Sequence, residues 1–390
     1  MKKLALACES YGTRTQMGAI RQGAINSKWF VRCFQSPTGR FERMLAWKPD
    51  AVIDDILDEE VSRTLRKTCK RKGIPVVNIT WDQSPKQSCK SIAFNSKTIG
   101  KLAAEHLLSI GLTRFAFIGH PRSEYSRLRL AGFQERLKAE KFPVNTFLDD
   151  RLFIDAATPP IYADENEDAL VDWLKTLKAP TGIFAANDRQ AYIAMEIALY
   201  RNADLCSKHP IIGADNDPFY CKAARPQLSS VPAPMELLGE TAVKVLDDLF
   251  EGTQKYEKLT LIAPDPVIAR ESSYLRETVD PFITKALKYI DENLNSKCTV
   301  AGMAKYLDTN AVTLHSKFKD VLRRTPLEEI HRRKFANVEC LLRETEMAID
   351  DISEKCGFRH VSRFCNSFKK RYNETPTDFR NRLRTHTVST

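Results

Sequence analysis

The ten cysteines of this 390-residue chain form no CxxC pair, and neither they nor the seven histidines cluster at zinc-ligand spacing. That leaves no basis for a structural metal or a disulfide framework, and reduced, mostly buried thiols of a cytosolic protein are expected. Long apolar runs are missing as well. Nothing approaches the ~20 residues that cross a bilayer. The opening MKKLALACES has too short an apolar run for a secretory signal, and Lys3-Leu-Ala-Leu alternates as a first strand would. The expectation is a soluble, cytoplasmic protein with no membrane partner. Also absent are a GxGxxG or GKS/T phosphate loop, a nucleophile elbow, an HExxH helix and a pair of catalytic carboxylates. Catalysis has no positive support, so the chain is expected to be no enzyme and to carry no cofactor and no metal.

What the chain does have is length and basic charge. Its 390 residues suffice for about three units of roughly 100–200 residues each. The net charge is +10, and residues 276–390 hold about 22 Lys/Arg against about 16 Asp/Glu, so much of the excess lies near the C-terminus. Such a block suits a polyanionic partner, although an ordinary solvated helical surface reaches a similar balance.

Over residues 1–270, short apolar runs (LALACE, WFVRCF, AVIDDI, PVVNIT, FAFIGH, TGIFAAN and PIIGAD) alternate with amphipathic stretches such as 99–111 and 189–202. This is the pattern of βαβ units, hence of parallel sheets covered by helices. Ligands of such sheets bind beyond the carboxyl ends of the strands. Those ends carry Ser10 and Tyr11, Asp54 and Asp55, Trp81 and Asp82, His120, Asn187 and Asp188, and Asp215 with Asn216. A polar and aromatic set without lysine suits a neutral polyhydroxylated ligand better than a nucleotide. Each member also has a plainer role: strand-end Asp and Asn commonly cap helices, His120 can be structural, and Trp81 can pack rather than stack on a sugar.

From Asp280-Pro281 onward only helical periodicity remains, which places a linker at 271–282 between a sensing region, 1–270, and a helical region, 283–390. Within the latter, one unit occurs twice. Leu314, Phe318, Thr325 and Pro326 correspond to Phe364, Phe368, Thr375 and Pro376 at an offset of fifty. Val300 and Met303 correspond to Ile349 and Ile352 at forty-nine, with the extra residue assigned to Gly357. Thr325-Pro-Leu-Glu328 and Thr375-Pro-Thr-Asp378 are capping-box helix starts. A helix from Pro326 to about Arg343, with Leu327, Ile330, Val338, Leu341 and Leu342 on one face, would be a rigid spacer of roughly 27 Å, close to the ~34 Å repeat of the major groove.

Each repeat contains a candidate recognition helix. In the first, Ala311, Leu314, Phe318 and Val321 should face inward, leaving Val312, His315, Ser316 and Lys319 outside. In the second, Val361, Phe364 and Phe368 face inward, leaving Ser362, Arg363, Cys365, Asn366 and Lys369 for DNA. Short polar or small residues near the helix start suit base edges, and a lysine further on suits phosphate.

Two resemblances agree with this reading. IGKLAAEHLLSIGLTRFAFIG, Ser126-x-x-Arg129-x-x-Gly132-Phe133, Asn187-Asp188-Arg-Gln-Ala and the IIGAD ending at Asp215 resemble the effector region of LacI/GalR regulators. That resemblance implies a two-lobed, periplasmic-binding-protein-like α/β sensor holding a monosaccharide between its lobes, with Arg129, Asn187 and Asp215 on its hydroxyls. Those regulators begin with their DNA-binding head, whereas here the strand pattern begins at once. The C-terminal block, with its Cys356-Gly357-Phe358 turn, Phe368-Lys-Lys run and Pro376-Thr-Asp-Phe379-Arg380, is similar to the all-α tandem helix-turn-helix domain of AraC/XylS regulators. It departs from them at Arg323 and Asn373, where glycine is usual. The combined layout resembles the xylose operon regulators. It implies a homodimeric activator of sugar-catabolic genes whose partners are double-stranded operator DNA, a monosaccharide effector and RNA polymerase. The alternatives are a solute-binding receptor or a sugar-modifying enzyme with no DNA role.

Overall fold

The computed structural model describes the chain except for residues 9–12, 26–27, 36–40, 57, 80–88, 151–163, 202–204, 206–207, 254–255, 275–279, 295–297, 323, 359, 373 and 386–390. By contact density it divides into two compact units, residues 1–96 with 233–265, and residues 97–232 with 266–385.

The first unit is built on a six-stranded parallel sheet. Its strands are β1 (Lys2–Cys8), β2 (Trp29–Gln35), β3 (Ala51–Asp55), β4 (Val76–Ile79), β5 (Lys90–Phe94) and β11 (Leu259–Ile262), in the order β11-β5-β4-β3-β1-β2. The helices α1 (Arg14–Ala24), α2 (Glu42–Ala46), α3 (Glu59–Arg71) and α9 (Met235–Glu251) belong to it. Central strands covered on both faces need apolar residues at every position, and Leu4 to Cys8 are accordingly all buried. Asp58 starts α3 by accepting from the Glu60 and Val61 amides at 2.9 and 3.0 Å.

The second unit carries a five-stranded parallel sheet: β6 (Phe115–Gly119), β7 (Val144–Leu148), β8 (Gly182–Ala185), β9 (Ile211–Ala214) and β10 (Ser229–Val231), in the order β10-β9-β8-β6-β7. The helices α4 (Ser96–Ser109), α5 (Glu124–Lys138), α6 (Asp164–Thr176), α7 (Asp188–Tyr200) and α8 (Pro218–Ala223) cover it. All seven apolar runs became strands. Among the described residues four further strands lie outside them: β10 has three residues, and edge strand β7 has no buried position to make it conspicuous.

The remainder of the second unit is helical: α10 (Pro281–Asn293), α11 (Val300–Tyr306), α12 (Ala311–Leu322), α13 (Pro326–Glu344), α14 (Ile349–Lys355), α15 (Val361–Tyr372) and α16 (Pro376–Thr385). Asp280 caps α10 and also holds Lys317 at 3.0 Å. The spacer helix α13 has the full capping box expected of Thr325 and Glu328. Ile330, Val338 and Leu342 on it are buried, but Leu327 is half exposed, because it lies in the first turn, ahead of the residues that pack against the core. No helix among the described residues is long and apolar enough to cross a membrane.

Candidate functional site

The strand ends of the second unit gather a polar cluster. α5 passes so close to α4 that a Cβ at Gly100 or Gly132 would collide with the backbone of the other helix, at Arg129 and Lys97 respectively. This contact sets the position of Arg129, whose side chain is fully buried. Its guanidinium donates to both Asp215 oxygens, at 2.6 and 3.3 Å, and to the Ala186 carbonyl at 2.5 Å. Asp215 follows β9 with φ 98°, a left-handed conformation unusual for a residue with a Cβ, held by its amide donating to Val231 at 2.8 Å. Asn187 plays the capping role open to it, its Oδ1 accepting from the Gln190 amide at 2.8 Å. Its Nδ2 donates to the Tyr125 hydroxyl at 3.1 Å, and Gln190 Nε2 donates to the same oxygen at 3.3 Å.

Tyr125 and Gln190 are the members that the sequence reading passed over. Tyr125 precedes Arg129 by one helical turn and Gln190 follows Asn187 by three residues, spacings that put each pair on one face. The Arg129 guanidinium lies 5.2 Å from the Tyr125 ring centre. Asp188 sits behind them, where the lack of a side chain at Gly213 makes room for its carboxylate. Burial, then the neighbouring Asp215 charge, push its carboxyl up to about 8. With Asp188 protonated at neutral pH and Arg129 neutralised by Asp215, the cluster offers donors and acceptors with no net charge.

Two other expected ligands carry internal duties. His120 Nδ1 accepts from the Arg122 and Ser123 amides at 3.2 and 3.0 Å, which closes the turn into α5. Asp54, in the first unit, is fully buried; its Oδ2 accepts from Ser62, Asn78 and Arg66 at 2.6, 3.0 and 3.1 Å. Burial outweighs those partners and raises its carboxyl to about 6. Ser10, Tyr11 and Trp81 lie outside the described residues.

The helical repeat presents two exposed faces. In α12, Leu314, Phe318 and Leu322 are buried, while Val312, His315, Ser316 and Lys319 are exposed. Ala311, expected inward, is exposed, since it starts the helix ahead of the first packed turn. In α15, Phe364 and Phe368 are fully buried, and Ser362, Arg363, Asn366 and Lys369 are exposed. Cys365, expected outward, is half buried and packs against the aromatic cluster of Phe335, Phe364, Phe368 and Phe379. The turns match at forty-nine: Asp308 (φ 48°) and Gly357 (φ 69°) are both left-handed, and Thr309 and Phe358 each donate to the residue five back, at 3.0 and 2.9 Å. The extra residue therefore follows Gly357 instead of being Gly357. Arg323 and Asn373 fall outside the described residues.

The first helical repeat is fastened to the sheet-bearing part of its own unit. Arg324 donates to the Ser109 carbonyl at the end of α4, and to Leu322 and Glu329 at 3.1 and 3.3 Å. The Tyr274 hydroxyl donates to Asn337 on α13 at 2.8 Å, and the Arg333 guanidinium lies 5.2 Å from the Tyr274 ring centre. Glu329 accepts from Arg332 and Arg333 at 2.8 and 2.7 Å, and Arg333 also binds Asp291. Burial would raise the Glu329 carboxyl, but the arginines beside it prevail and hold it well below the usual range. His106 on α4, close to Ser273 Oγ at 2.8 Å, is pushed down to about 3 by burial and by the Arg332 charge.

Comparison with known proteins bears on both sites. Residues 104–273 match the family described as a periplasmic binding protein-like domain, and residues 303–382 match a helix-turn-helix domain. The xylose operon regulatory protein of Escherichia coli K12 is 27% identical over 366 residues, 92% of this chain and 90% of that protein. Its namesake from Haemophilus influenzae is 28% identical over 292 residues, 74% of each chain. The solved structure of a xylose-binding transcription activator matches with a TM-score of 0.62 at 24% identity, covering 97% of this chain and 98% of that one. A LacI family transcriptional regulator from Enterococcus faecium with bound ribose matches with a TM-score of 0.54 at 19% identity, covering 70% of this chain and 98% of that one.

Proposed function

We propose that this chain, a homologue of the xylose operon regulatory proteins that joins a periplasmic binding protein-like sensor to a helix-turn-helix head, is a sugar-responsive, DNA-binding regulator that activates a sugar-catabolic operon. The observation that carries the reading is the pair of matched exposed faces on α12 and α15, each backed by fully buried aromatic or aliphatic residues and joined by the 19-residue α13. A helix of that length spans about 28 Å, so the two faces can enter successive major grooves.

The effector is xylose or a related aldose. Arg129, Asn187 and Asp215 bind its hydroxyls, with Tyr125 and Gln190 beside them. The division of labour follows the linker at 271–282. The regulator acts in the cytoplasm as a homodimer that recruits RNA polymerase. The relatives from Escherichia coli and Haemophilus influenzae, which align over 92% and 74% of this chain, are named as operon regulators, which favours this reading over a transport receptor or an enzyme.

The test is calorimetry of the full chain against a panel of free aldoses, followed by footprinting on its own promoter with and without the sugar that binds. One aldose should bind without turnover and change the footprint. Turnover of the sugar, or no DNA binding under either condition, would overturn the proposal.

A further inference from the structure

A cavity of about 280 Å³ lies beside the second helical repeat, between α13, the turn after α14 and the flank of α15. Its polar wall is made of His331, Lys334, His360, Arg363 and Ser367, its apolar wall includes Ile330 and Phe358, and none of its lining residues is acidic. Lys334 is almost fully buried, donating to the Gly357 carbonyl at 2.6 Å, with its ammonium 5.4 Å from the Phe358 ring centre. Fixed at the cavity wall, this side chain attracts an entering anion more strongly than it would in bulk water.

We infer that this cavity is a seat for a phosphate group: its cations and hydroxyl take the phosphate oxygens, and the apolar wall takes the attached sugar carbons. The reason lies in helix geometry. Arg363 and Ser367, four residues apart, share one flank of α15, next to the face that carries Ser362 and Asn366. When that face meets base edges, the backbone bordering the groove must run past the flank, and the phosphodiester there faces the cavity. Burial, and the charges of Lys334 and Arg371, hold His331 below its ordinary range, which fits a site of positive potential. The inference rests on the DNA-binding reading for its preferred source, the operator backbone. The same chemistry would also accept a free phosphate ester.

Two measurements on the full chain decide it. The first is ethylation interference on the promoter fragment, comparing wild type with Lys334→Gln and Arg363→Gln. Ethylating one phosphate per protomer, at the edge of the groove read by α15, should weaken wild-type binding at least tenfold. The same lesion should have no effect on either variant. Arg363 is exposed, so Arg363→Gln keeps the test valid if Lys334→Gln fails to fold, which circular dichroism reports. The second is titration of the histidine ring resonances with inorganic phosphate alone. A saturable shift at His331 and His360, without interference, assigns the cavity to a free anion. Interference unchanged in the variants, together with no saturable shift, overturns the inference. A chain that binds no DNA at all would sink the proposed function while the phosphate titration still decides the cavity.

Discussion

Removing Arg129 should harm the second unit before it harms recognition of any sugar. The guanidinium is fully buried and makes two bonds to Asp215, whose side chain is only 14% exposed, and one to the Ala186 carbonyl. Arg129→Ala leaves the Asp215 carboxylate close to Asp188 with its cation gone, a broken buried pair of the kind that costs about 3–5 kcal/mol. Asp215→Ala leaves the opposite charge stranded at a similar cost. Removing both strands neither, so Arg129→Ala combined with Asp215→Ala should cost less than the sum of the single changes by about 2 kcal/mol or more. Urea unfolding of the four proteins measures this cycle. Single effects that add to within about 0.5 kcal/mol would refute the coupled pair. Under conditions where each single variant remains folded, calorimetry should show sugar affinity reduced at least tenfold, since bonds to charged groups contribute about 1.5–3 kcal/mol each. DNA affinity without sugar should be largely intact.

Asp188 makes stability depend on pH in a predictable direction. Its carboxyl rises from 3.8 to about 8 on folding, so its contribution is complete below the ordinary carboxyl range and is lost as pH rises toward 8. Urea midpoints at pH 6 and pH 9 should show that loss in wild type and a smaller one in Asp188→Asn. Glu329→Gln should destabilise the head by about 3–5 kcal/mol, because Arg333 beside it is fully buried; a change below about 1 kcal/mol in thermal unfolding would count against the arginine cluster as a structural tie. Asn366→Ala should cost about 1–3 kcal/mol of operator affinity and relax preference at one base pair, whereas Lys369→Ala should lower the salt dependence by about one ion at every sequence. A base-substitution binding series at two salt concentrations separates these outcomes.

Much of the fold is legible in the sequence because its signals are local. Strands buried on both faces must be mostly apolar, and each of the seven apolar runs became a strand, the edge strand β2 included. Capping residues announced α13 and α16 at Thr325 and Thr375. Of the strands left unseen, β7, β10 and β11 lie at sheet edges, where solvent permits polar residues; β5 lies inside its sheet but begins with the polar pair Lys90-Ser91. Within the candidate site, Arg129, Asn187 and Asp215 could be named, but their bonding could not. That Arg129 and Asp215 hold each other depends on a contact between residues 86 apart, made possible by glycines on two helices. Asp54 shows the same limit from the other side: a carboxylate at a strand end carries no mark of whether it faces a ligand or an internal arginine.

The helical repeat carries this point furthest, because two stretches that correspond residue by residue are not equivalent in the folded chain. Both expose a matching face, and both bury a Leu/Phe or Phe/Phe pair fifty residues apart. The second repeat completes its core with aromatic residues, Phe379 on α16 and Phe335 on the spacer α13 closing over Phe364 and Phe368. The first is bonded instead to residues outside the repeat, through Arg324 to the end of α4 and through Asn337 on α13 to Tyr274. Those partners lie well upstream of the repeat, so self-comparison of the sequence cannot find them. A shift of α4 or of the segment at Tyr274 would pass by direct hydrogen bonds to Arg324, just after α12, and to Asn337 on α13, the helix that leads to the second repeat. If the chain is the sugar-responsive regulator proposed above, a sensor attached in this way should act first on the placement of α12.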